Sequence, residues 1–354
     1  MKVLYGVNGN GSGHISRASL VVPKLQASGA DVSCILSGRP GGAESYPDLS
    51  NLGTCQFKEG LSLIHNEKGG LDFIKTSLGI AKQSPRMLGD ILRLDVSEFD
   101  LVVTDFEPIS AWAAKKHSIP SIGLAHHFAF QHDVPKAGEF SPFMIFMNNI
   151  VPTDIPLGLH YASYDQPILP PIIDSHKIEQ LSGATEDPQK VLVYMDFEPT
   201  EQVVEMLRPH KNHDFYVYAS DNQQDADIGN IHIRKRSKDG FMNDFATAAG
   251  LIANAGFCAS SEALQLGKKL LVKPASGQKE QESNALALDR LGYGSTMTDL
   301  NTQLVGEWLN KESRTQITFP DTAQHVADWI TNNDFSKPQD LIDSLWRQVE
   351  VTHD

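Results

Sequence analysis

The sequence has little cysteine, no excess of positive charge and no long apolar run, and each of these absences excludes a class of protein. Only three cysteines occur among 354 residues, far apart and without metal-ligand spacing, so we expect neither a disulfide framework nor a zinc site. The net charge of −14 disfavours a general binder of nucleic acids or anionic membranes. No run is long enough to span a bilayer, and the chain opens on Met-Lys and a strand pattern instead of a signal peptide. The sequence therefore predicts a cytoplasmic protein that binds no nucleic acid.

Two ligand-binding motifs are also absent. A strand pattern at Lys2–Val7 leads into the loop Asn8–His14, which carries G-x-G-x-G in place of the dinucleotide fingerprint G-x-G-x-x-G. No acidic residue ends the next strand pattern, so a nicotinamide-dependent dehydrogenase is disfavoured. The D-x-D at Asp225–Asp227 stands in a polar loop, away from a strand end. We therefore expect no metal site and no cofactor.

What is present is an alternation of strand and helix patterns that predicts an α/β fold. The length of 354 residues suits two ordinary domains. A stretch rich in proline and aromatic residues, which ends in Pro170-Pro171-Ile172-Ile173, predicts the crossing between them. We predict a first domain at residues 1–152, a linker at 153–175, a second domain at 176–320 and closing helical segments at 321–354.

One stretch of the second half predicts an anion site. The apolar run Gly250–Ala253 predicts a buried strand, and a glycine turn with small residues leads into a helix that stops at Gly267. Free amides and the positive end of such a helix bind anions, and the Ser260 and Ser261 hydroxyls would add donors. Glu262, predicted in the first turn, can reach a vicinal diol. The alternative is an ordinary strand–helix crossover with a glycine turn.

This stretch resembles the nucleotide-sugar signature of glycosyltransferases with two Rossmann-like domains facing across a cleft, the GT-B fold, and of the plant UDP-sugar transferases in particular. The residues that match it in order are Gly256, Phe257, Ser260, Glu262, Pro274, Glu280-Gln281 and Asn284-Ala285. The resemblance implies diphosphate at Gly256–Ser261, ribose hydroxyls on Glu262, and sugar hydroxyls on Glu280 and Gln281. Asn254 and Cys258 depart from the pattern, which has a histidine and an asparagine there. We predict a loop that ends in Glu280 and Gln281, with a new helix beginning near Asn284.

The glycine loop of the first half resembles the acceptor side of the same enzymes. Gly11, Ser12 and Gly13 lead into His14, which is predicted to be the general base that removes a proton from the acceptor hydroxyl. The alternative is a histidine that caps the first helix or fills the cleft. Arg17, in the same helix, is as compatible with a solvated charge as with a phosphate ligand.

A second signature follows the strand pattern that ends in Asp105. Together with the glycine loop, the segment Thr104-Asp105-Phe106-Glu107-Pro108 resembles a group of bacterial and archaeal glycosyltransferases, distant relatives of the enzyme that completes the lipid-linked cell-wall disaccharide. The resemblance implies that Asp105 or Glu107 orients His14 or is itself the base. The alternative is a helix N-cap, which is equally compatible with these residues.

Further contacts are predicted on both sides of the cleft. His126 and His127 are predicted in a loop that lines the acceptor site, a metal site with His132 being the alternative. On the donor side, Arg236 is a candidate for neutralising diphosphate, and Phe241 and Met242 are candidates for contacting the base. The apolar segment 140–151 is either a core helix or a lip that touches lipid.

These observations predict an inverting, metal-independent glycosyltransferase with a UDP-sugar donor and an unknown hydroxyl acceptor, lipid-linked or glycan. The enzyme would lie in the cytoplasm, with peripheral contact at the inner face of the membrane. The alternatives are a UDP-sugar 2-epimerase of the same architecture and a non-catalytic protein that binds nucleotide sugars. The resemblance also implies that the last helix packs back on the first domain.

Overall fold

Two β-sheets of seven strands each, the first parallel and the second mainly parallel, form the frame of the molecule, one in each half of the chain. The structure is a computed structural model, and it describes residues 1–46, 49–61, 73–138, 149–219, 221, 224–332, 335 and 337–353. Helices flank both sheets, so the strands are buried on both faces and read as the near-continuous apolar runs typical of parallel sheets.

The first sheet has the strand order β3-β2-β1-β4-β5-β6-β7, and all of its neighbours pair in parallel. Its strands are β1 (Lys2–Asn8), β2 (Asp31–Ser37), β3 (Cys55–Lys58), β4 (Leu101–Asp105), β5 (Ser121–Ala125), β6 (Ile155–Leu159) and β7 (Ile168–Leu169). The helices of this half are α1 (Ser12–Ala27), α2 (Phe73–Arg93), α3 (Pro108–His117) and the short α4 (His126–Ala129).

The second sheet has the order β10-β11-β9-β8-β12-β13-β14, in which only β10 runs antiparallel to its neighbour. Its strands are β8 (Asp187–Tyr194), β9 (Asp214–Tyr218), β10 (Ala226–Ile228), β11 (Ile231–Arg234), β12 (Ala248–Asn254), β13 (Lys269–Lys273) and β14 (Ser295–Thr296). Its helices are α5 (Ser175–Ser182), α6 (Thr200–Leu207), α7 (Lys238–Thr247), α8 (Phe257–Gln265), α9 (Lys279–Leu291) and α10 (Thr302–Leu309).

The end of the chain returns to the first half. The two last helices are α11 (Thr322–Thr331) and α12 (Pro338–Trp346), and β15 (Thr315–Thr318) pairs antiparallel with β16 (Glu350–His353). Lys24 of α1 donates to the Asp321 carboxylate at 2.7 Å, and the Trp346 indole donates to the carbonyl of Ile168 at 2.7 Å. These contacts join the closing helices to the first sheet.

The strand order explains where a ligand can bind. Both sheets place β1 or its counterpart β8 at the point where the order reverses, and ligands of such sheets bind beyond the carboxyl ends of the strands there. Gly158 on β6 lets α4 lie against the sheet, because a Cβ at Gly158 would collide with the Ala129 backbone. This close approach fixes α4 at the same edge as the ends of β1 and β4.

The predicted α/β fold with two Rossmann-like sheets is confirmed, and three local predictions were wrong. The segment that begins with His126 and His127 forms α4 instead of a loop, because Phe128 and Ala129 pack into the sheet beside it. Helix α8 begins at Phe257, which moves Glu262 into its second turn, and α9 begins at Lys279 instead of near Asn284. Of the apolar segment 140–151, residues 140–148 lie outside the described residues, so the predicted lip stays a prediction. No helix in the described ranges is both long and apolar enough to cross a bilayer.

Candidate active site

A cavity of about 340 Å³ lies between the carboxyl ends of the two sheets. The first half contributes the glycine loop, the start of α1, Phe106 and α4, and the second half contributes the loop after β8 and the starts of α8 and α9. The predicted site residues that line it are Gly11, Ser12, Gly13, His14, His126, His127, Asn254, Gly256, Phe257, Glu280 and Gln281. The cavity therefore brings the two predicted half-sites together.

His14, Asp105 and Arg17 form a buried charged network at the wall of the cavity. His14 Nδ1 lies 2.6 Å from Asp105 Oδ1, and Arg17 holds both carboxylate oxygens, with Nη2 at 2.6 Å and Nε at 2.7 Å. Arg17 Nη2 is also 3.1 Å from His14 Nδ1, and we assign the protons of both nitrogens to the carboxylate between them. Nε2 is then the unprotonated ring nitrogen, available to a group in the cavity.

The pKa values of this network suit a neutral imidazole beside an ionised carboxylate. Burial lowers the pKa of His14 and outweighs the opposing effect of Asp105, while Arg17 and His127 lower it further. Burial alone would raise the pKa of Asp105, but the charges of Arg17 and His14 hold it below its usual value of 3.8. An imidazole that stays neutral near neutral pH can accept a proton.

The turn after β4 separates two carboxylates that the sequence pattern could not tell apart. Phe106 has a φ of 56°, an unusual left-handed conformation for a bulky residue, and its carbonyl accepts from Asn8 Nδ2 at 3.0 Å. Glu107 caps α3: its carboxylate accepts from the backbone of Ile109 and Ser110 and from the Ser37 hydroxyl at 2.6 to 2.8 Å. Burial raises the pKa of Glu107. The structure places Asp105 against His14 and commits Glu107 to the cap, outside the lining of the cavity.

Two bare helix N-termini face the cavity. The caps of α1 and α8 are Gly11 and Gly256, and neither helix start donates to a capping side chain or carries an acidic residue in its first turn. Gly13 and Cys258 bring the two starts together, because a Cβ on Gly13 would lie only 3.2 Å from the Cys258 sulfur. Unsatisfied amides and the positive ends of both helix dipoles therefore point at the same space, which is an arrangement that binds anions.

Some predicted donor residues offer no side-chain hydrogen bond to the cavity. Ser260 and Ser261 are fully buried within α8, and the Ser261 hydroxyl donates back to the Phe257 carbonyl at 2.8 Å. Asn254 lines the cavity, but its amide is already used: Oδ1 accepts from the Phe197 backbone at 3.1 Å and Nδ2 donates to the Lys273 carbonyl at 3.1 Å. The amides that face the cavity at this helix thus belong to its first turn.

Glu262 is an acidic side chain without a partner near the cavity. Its carboxylate makes no hydrogen bond or ion pair with any residue that the structure describes. Burial raises its pKa to about 7, Lys177 lowers it and Asp174 raises it. Glu262 also lies close enough to Tyr194, a cavity residue, to contribute to raising the pKa of that phenol to about 12. A partly buried carboxylate held without a donor can accept hydrogen bonds from a ligand.

Contacts between α4 and α9 close one side of the cavity. His127 Nε2 lies 3.1 Å from a Glu280 carboxylate oxygen. Burial alone would raise the pKa of Glu280, but His127, with smaller contributions from His126 and His14, holds it well below its usual range. His126 stacks on Phe257 at 3.9 Å between ring centroids and contacts Asn284 Oδ1 at 2.6 Å. The predicted acceptor histidines therefore also join the two halves of the molecule.

On the opposite side, the basic segment after β11 reaches the rim of the cavity. Arg236 pairs with Asp196, which lines the cavity in the loop after β8, and its side chain is 57% exposed. Phe241 packs against Tyr194 with 5.4 Å between ring centroids, and both Phe241 and Met242 are partly buried against the hydrophobic core, outside the lining. Gln281 accepts from the Ala275 backbone at 2.8 Å, which leaves its amide nitrogen at the cavity.

Arg17 is the main residue whose role the sequence did not predict: it is neither a solvated charge nor free for a phosphate, but holds the Asp105 carboxylate. Its side chain is 3% exposed, and it lies one turn after His14, so that both reach the carboxylate at the end of β4. The spacing of three residues on a helix was a usable signal, because it places both side chains on one face. Within the described ranges, no three side chains of histidine, cysteine, aspartate or glutamate are arranged to hold a metal ion.

Comparisons with known proteins identify the family and the fold of the chain. The model of glycosyl transferase family 1 matches residues 1–312. Among solved structures, spinosyn rhamnosyltransferase SpnG complexed with thymidine diphosphate is similar with a TM-score of 0.62 at 16% identity, over 98% of this chain and 100% of that chain. UGT89C1 of Arabidopsis thaliana complexed with quercetin is similar with a TM-score of 0.59 at 12% identity, over 98% of this chain and 99% of that chain. The glycosyltransferase SnogD from Streptomyces nogalater is similar with a TM-score of 0.54 at 14% identity, over 98% of each chain. A comparison with curated protein sequences found no match.

Proposed function

The chain belongs to glycosyl transferase family 1 and is a glycosyltransferase, and on that premise we propose that it transfers a sugar from a nucleoside diphosphate donor to a hydroxyl acceptor with inversion at the anomeric carbon. The observation that carries the proposal is the buried His14–Asp105 pair beside a cavity that two uncapped helix starts face. One wall offers a proton acceptor, and the other offers amides for an anion.

The reaction follows from these positions. The acceptor oxygen attacks the anomeric carbon and passes its proton to His14 Nε2, while Asp105 stabilises the imidazolium that forms. The bond from the anomeric carbon to the diphosphate oxygen breaks, and the electron pair leaves with the diphosphate. The start of α8 and Arg236 would stabilise that developing charge. A single displacement from the face opposite the leaving group inverts the anomeric configuration.

We propose UDP as the nucleotide, with Glu262 accepting from the ribose hydroxyls and the rings near Tyr194 contacting the base. Thymidine diphosphate is the second candidate, because the similar rhamnosyltransferase was solved with it. Glu280 and Gln281, at the start of α9, would contact sugar hydroxyls. We further propose that the transfer needs no metal ion, since helix starts and Arg236 supply the positive charge that a diphosphate requires.

The test uses the slow hydrolysis of the donor, so that the acceptor need not be known. The protein is incubated with UDP-sugars and dTDP-sugars, with and without a chelator, and NMR follows the anomer of the released sugar. We expect an inverted sugar, an unchanged rate with the chelator, and a loss of about 10²- to 10⁴-fold in His14→Gln. His353→Gln is the matched control, because His353 is exposed on β16.

The other outcomes are distinct. Release with retained configuration would exclude inversion, and loss of rate with the chelator would exclude metal independence. An isomerised sugar nucleotide would indicate a 2-epimerase, and binding without turnover would indicate a non-catalytic binding protein. Equal rates in His14→Gln and in the His353→Gln control would remove His14 from the chemistry.

A further inference from the structure

Two of the three free cysteines lie side by side in the first sheet. Cys34 on β2 and Cys55 on β3 are direct partners in the parallel register. Direct partners point to the same face, and Cys55 packs against the hydrophobic core in which Cys34 is buried. Parallel strands are about 4.8 Å apart, which lies within the range of about 4.4 to 6.8 Å between the Cα atoms of natural disulfides.

From this pairing we propose that Cys34 and Cys55 are a redox site that forms a reversible disulfide. The bond would link β3 covalently to β2, the two strands whose ends contact the glycine loop. The proposal does not rest on the transfer reaction, because every contact that carries it lies in the first sheet and the loop next to it.

The two thiols differ in exposure and in pKa, so that one can react with an oxidant first and the other can then attack it. Cys34 is 1% exposed, whereas Cys55 is partly exposed on β3, which ends the strand order of the first sheet as described. A hydrogen bond with Cys34 lowers the pKa of the Cys55 thiol, so its thiolate is the more available. Cys258 lies on α8 in the second half of the chain, next to Gly13, and does not belong to the sheet in which Cys34 and Cys55 are paired. Cys55 is therefore the thiol that meets an oxidant, and Cys34 is the thiol that resolves the product.

With hydrogen peroxide as the oxidant, the step balances. The Cys55 thiolate attacks one peroxide oxygen, the O–O bond breaks, and Cys55 becomes a sulfenic acid while the other oxygen leaves as water after taking a proton. The Cys34 sulfur then attacks the Cys55 sulfur, and the sulfenic oxygen leaves as a second water with the Cys34 proton. Two thiols thus give two electrons to one peroxide, and an external dithiol can return them by exchange.

The bond would act on the loop that lines the cavity. At the end of β2, the Ser37 carbonyl accepts from the Gly9 backbone at 2.6 Å. Beyond β3, the Leu61 carbonyl accepts from Asn10 Nδ2 at 2.7 Å. A covalent link between the two strands therefore restrains both supports of the loop, and we expect slower amide exchange at residues 8–13 and in β3 after oxidation.

The test counts thiols in the full chain, reduced first and then exposed to hydrogen peroxide. We expect the count under denaturing conditions to fall from three to one, with mass spectrometry identifying a peptide pair that joins Cys34 to Cys55. Cys258→Ser should fall from two to none and should show the same slowing of exchange. In Cys34→Ser, a sulfenic acid on Cys55 should be trapped by dimedone, and no intramolecular link should form.

Two results would overturn the proposal. One is a chain that keeps all three thiols, or that links only between molecules or through Cys258. The other is a correct link with unchanged exchange at residues 8–13, which would leave a disulfide without the proposed effect on the loop. Circular dichroism of the serine variants separates a folding defect from the loss of the redox site, and a dithiol should restore the original count in the wild-type protein.

Discussion

The two walls of the cavity differ in how far their polar groups are already paired. On the first wall, His14, Asp105 and Arg17 satisfy one another at distances of 2.6 and 2.7 Å. On the second wall, the start of α8 carries no side-chain cap, and Glu262, further along that helix and near the cavity lining, has no partner among the described residues. The first wall holds its reacting groups in place before any ligand arrives, and the second leaves its amides and carboxylate for the ligand to pair.

The difference has a physical reason. A general base must keep one tautomer and one orientation, and a buried network of charge-assisted hydrogen bonds provides both. A ligand site that was fully paired would have to break its own hydrogen bonds before binding a diphosphate. Bare helix starts avoid that cost, because their amides face the cavity with no protein acceptor to displace.

The largest expected effect comes from breaking the paired wall. Asp105→Asn removes the only carboxylate that the structure shows on Arg17, and an unpaired buried cation costs about 3–5 kcal/mol of unfolding free energy. We expect that loss in urea unfolding, together with loss of donor hydrolysis, because His14 also loses its partner.

The double variant Arg17→Met with Asp105→Asn shows whether the network serves stability or catalysis. Methionine removes the unpaired charge, so most of the lost unfolding free energy should return. Activity should stay lost, since no carboxylate orients His14. If activity returned together with stability, the hydrogen bonds among His14, Asp105 and Arg17 would serve the fold alone. The proposal that this wall is paired in order to orient the base would then be wrong.

The sequence predicted the positions of the two half-sites but not the role of every residue in them. The strand patterns placed the glycine loop and the carboxylates at the end of β4 in the ligand-binding region of the sheet, and the family resemblance implied that one of these carboxylates acts with His14. They could not choose between Asp105 and Glu107, because the choice depends on the left-handed φ of 56° at Phe106, which no residue pattern indicates. The start of α8 was predicted too late, because Phe257 begins the helix by stacking on His126 of the other half, a contact between distant parts of the chain.

The next prediction tests the unpaired wall with Glu262→Gln. Ionised Glu262 accepts hydroxyl hydrogen bonds best, and its pKa in the free protein is raised to about 7. Calorimetry with UDP should therefore show affinity that falls from pH 8 to pH 6 in the wild type. The variant should bind about tenfold more weakly at pH 8, a difference of about 1.4 kcal/mol, and the gap should close toward pH 6. Comparing the two proteins cancels the titration of UDP itself.

The same substitution, Glu262→Gln, should weaken UDP binding but increase the stability of the free protein at pH 8. Because the folded-state pKa of Glu262 is raised, its ionisation destabilises the free protein. This cost is absent below about 4.5, the ordinary pKa, grows between the two values, and is complete above about 7. Glu262→Gln should therefore be more stable than the wild type at pH 8 and equal to it at pH 4. A variant that lost stability at pH 8 would show that Glu262 already has a partner.

The smallest effect is expected at the rim, where the unpaired wall carries one pair of its own. Asp196 pairs with Arg236, whose side chain is 57% exposed, and its carboxylate faces the space proposed for the diphosphate. Asp196→Asn removes a competitor for Arg236 and a repulsive charge, so UDP should bind more tightly by about two- to fivefold, consistent with exposed pairs worth up to about 1 kcal/mol. Arg236→Gln should weaken binding, and salt should reduce both effects.

Glu205→Gln makes the same change in net charge at the exposed pair with Arg208 and should leave the affinity unchanged. Weaker binding in Asp196→Asn would mean that Asp196 positions Arg236 for the ligand, so that this wall too is built from paired groups.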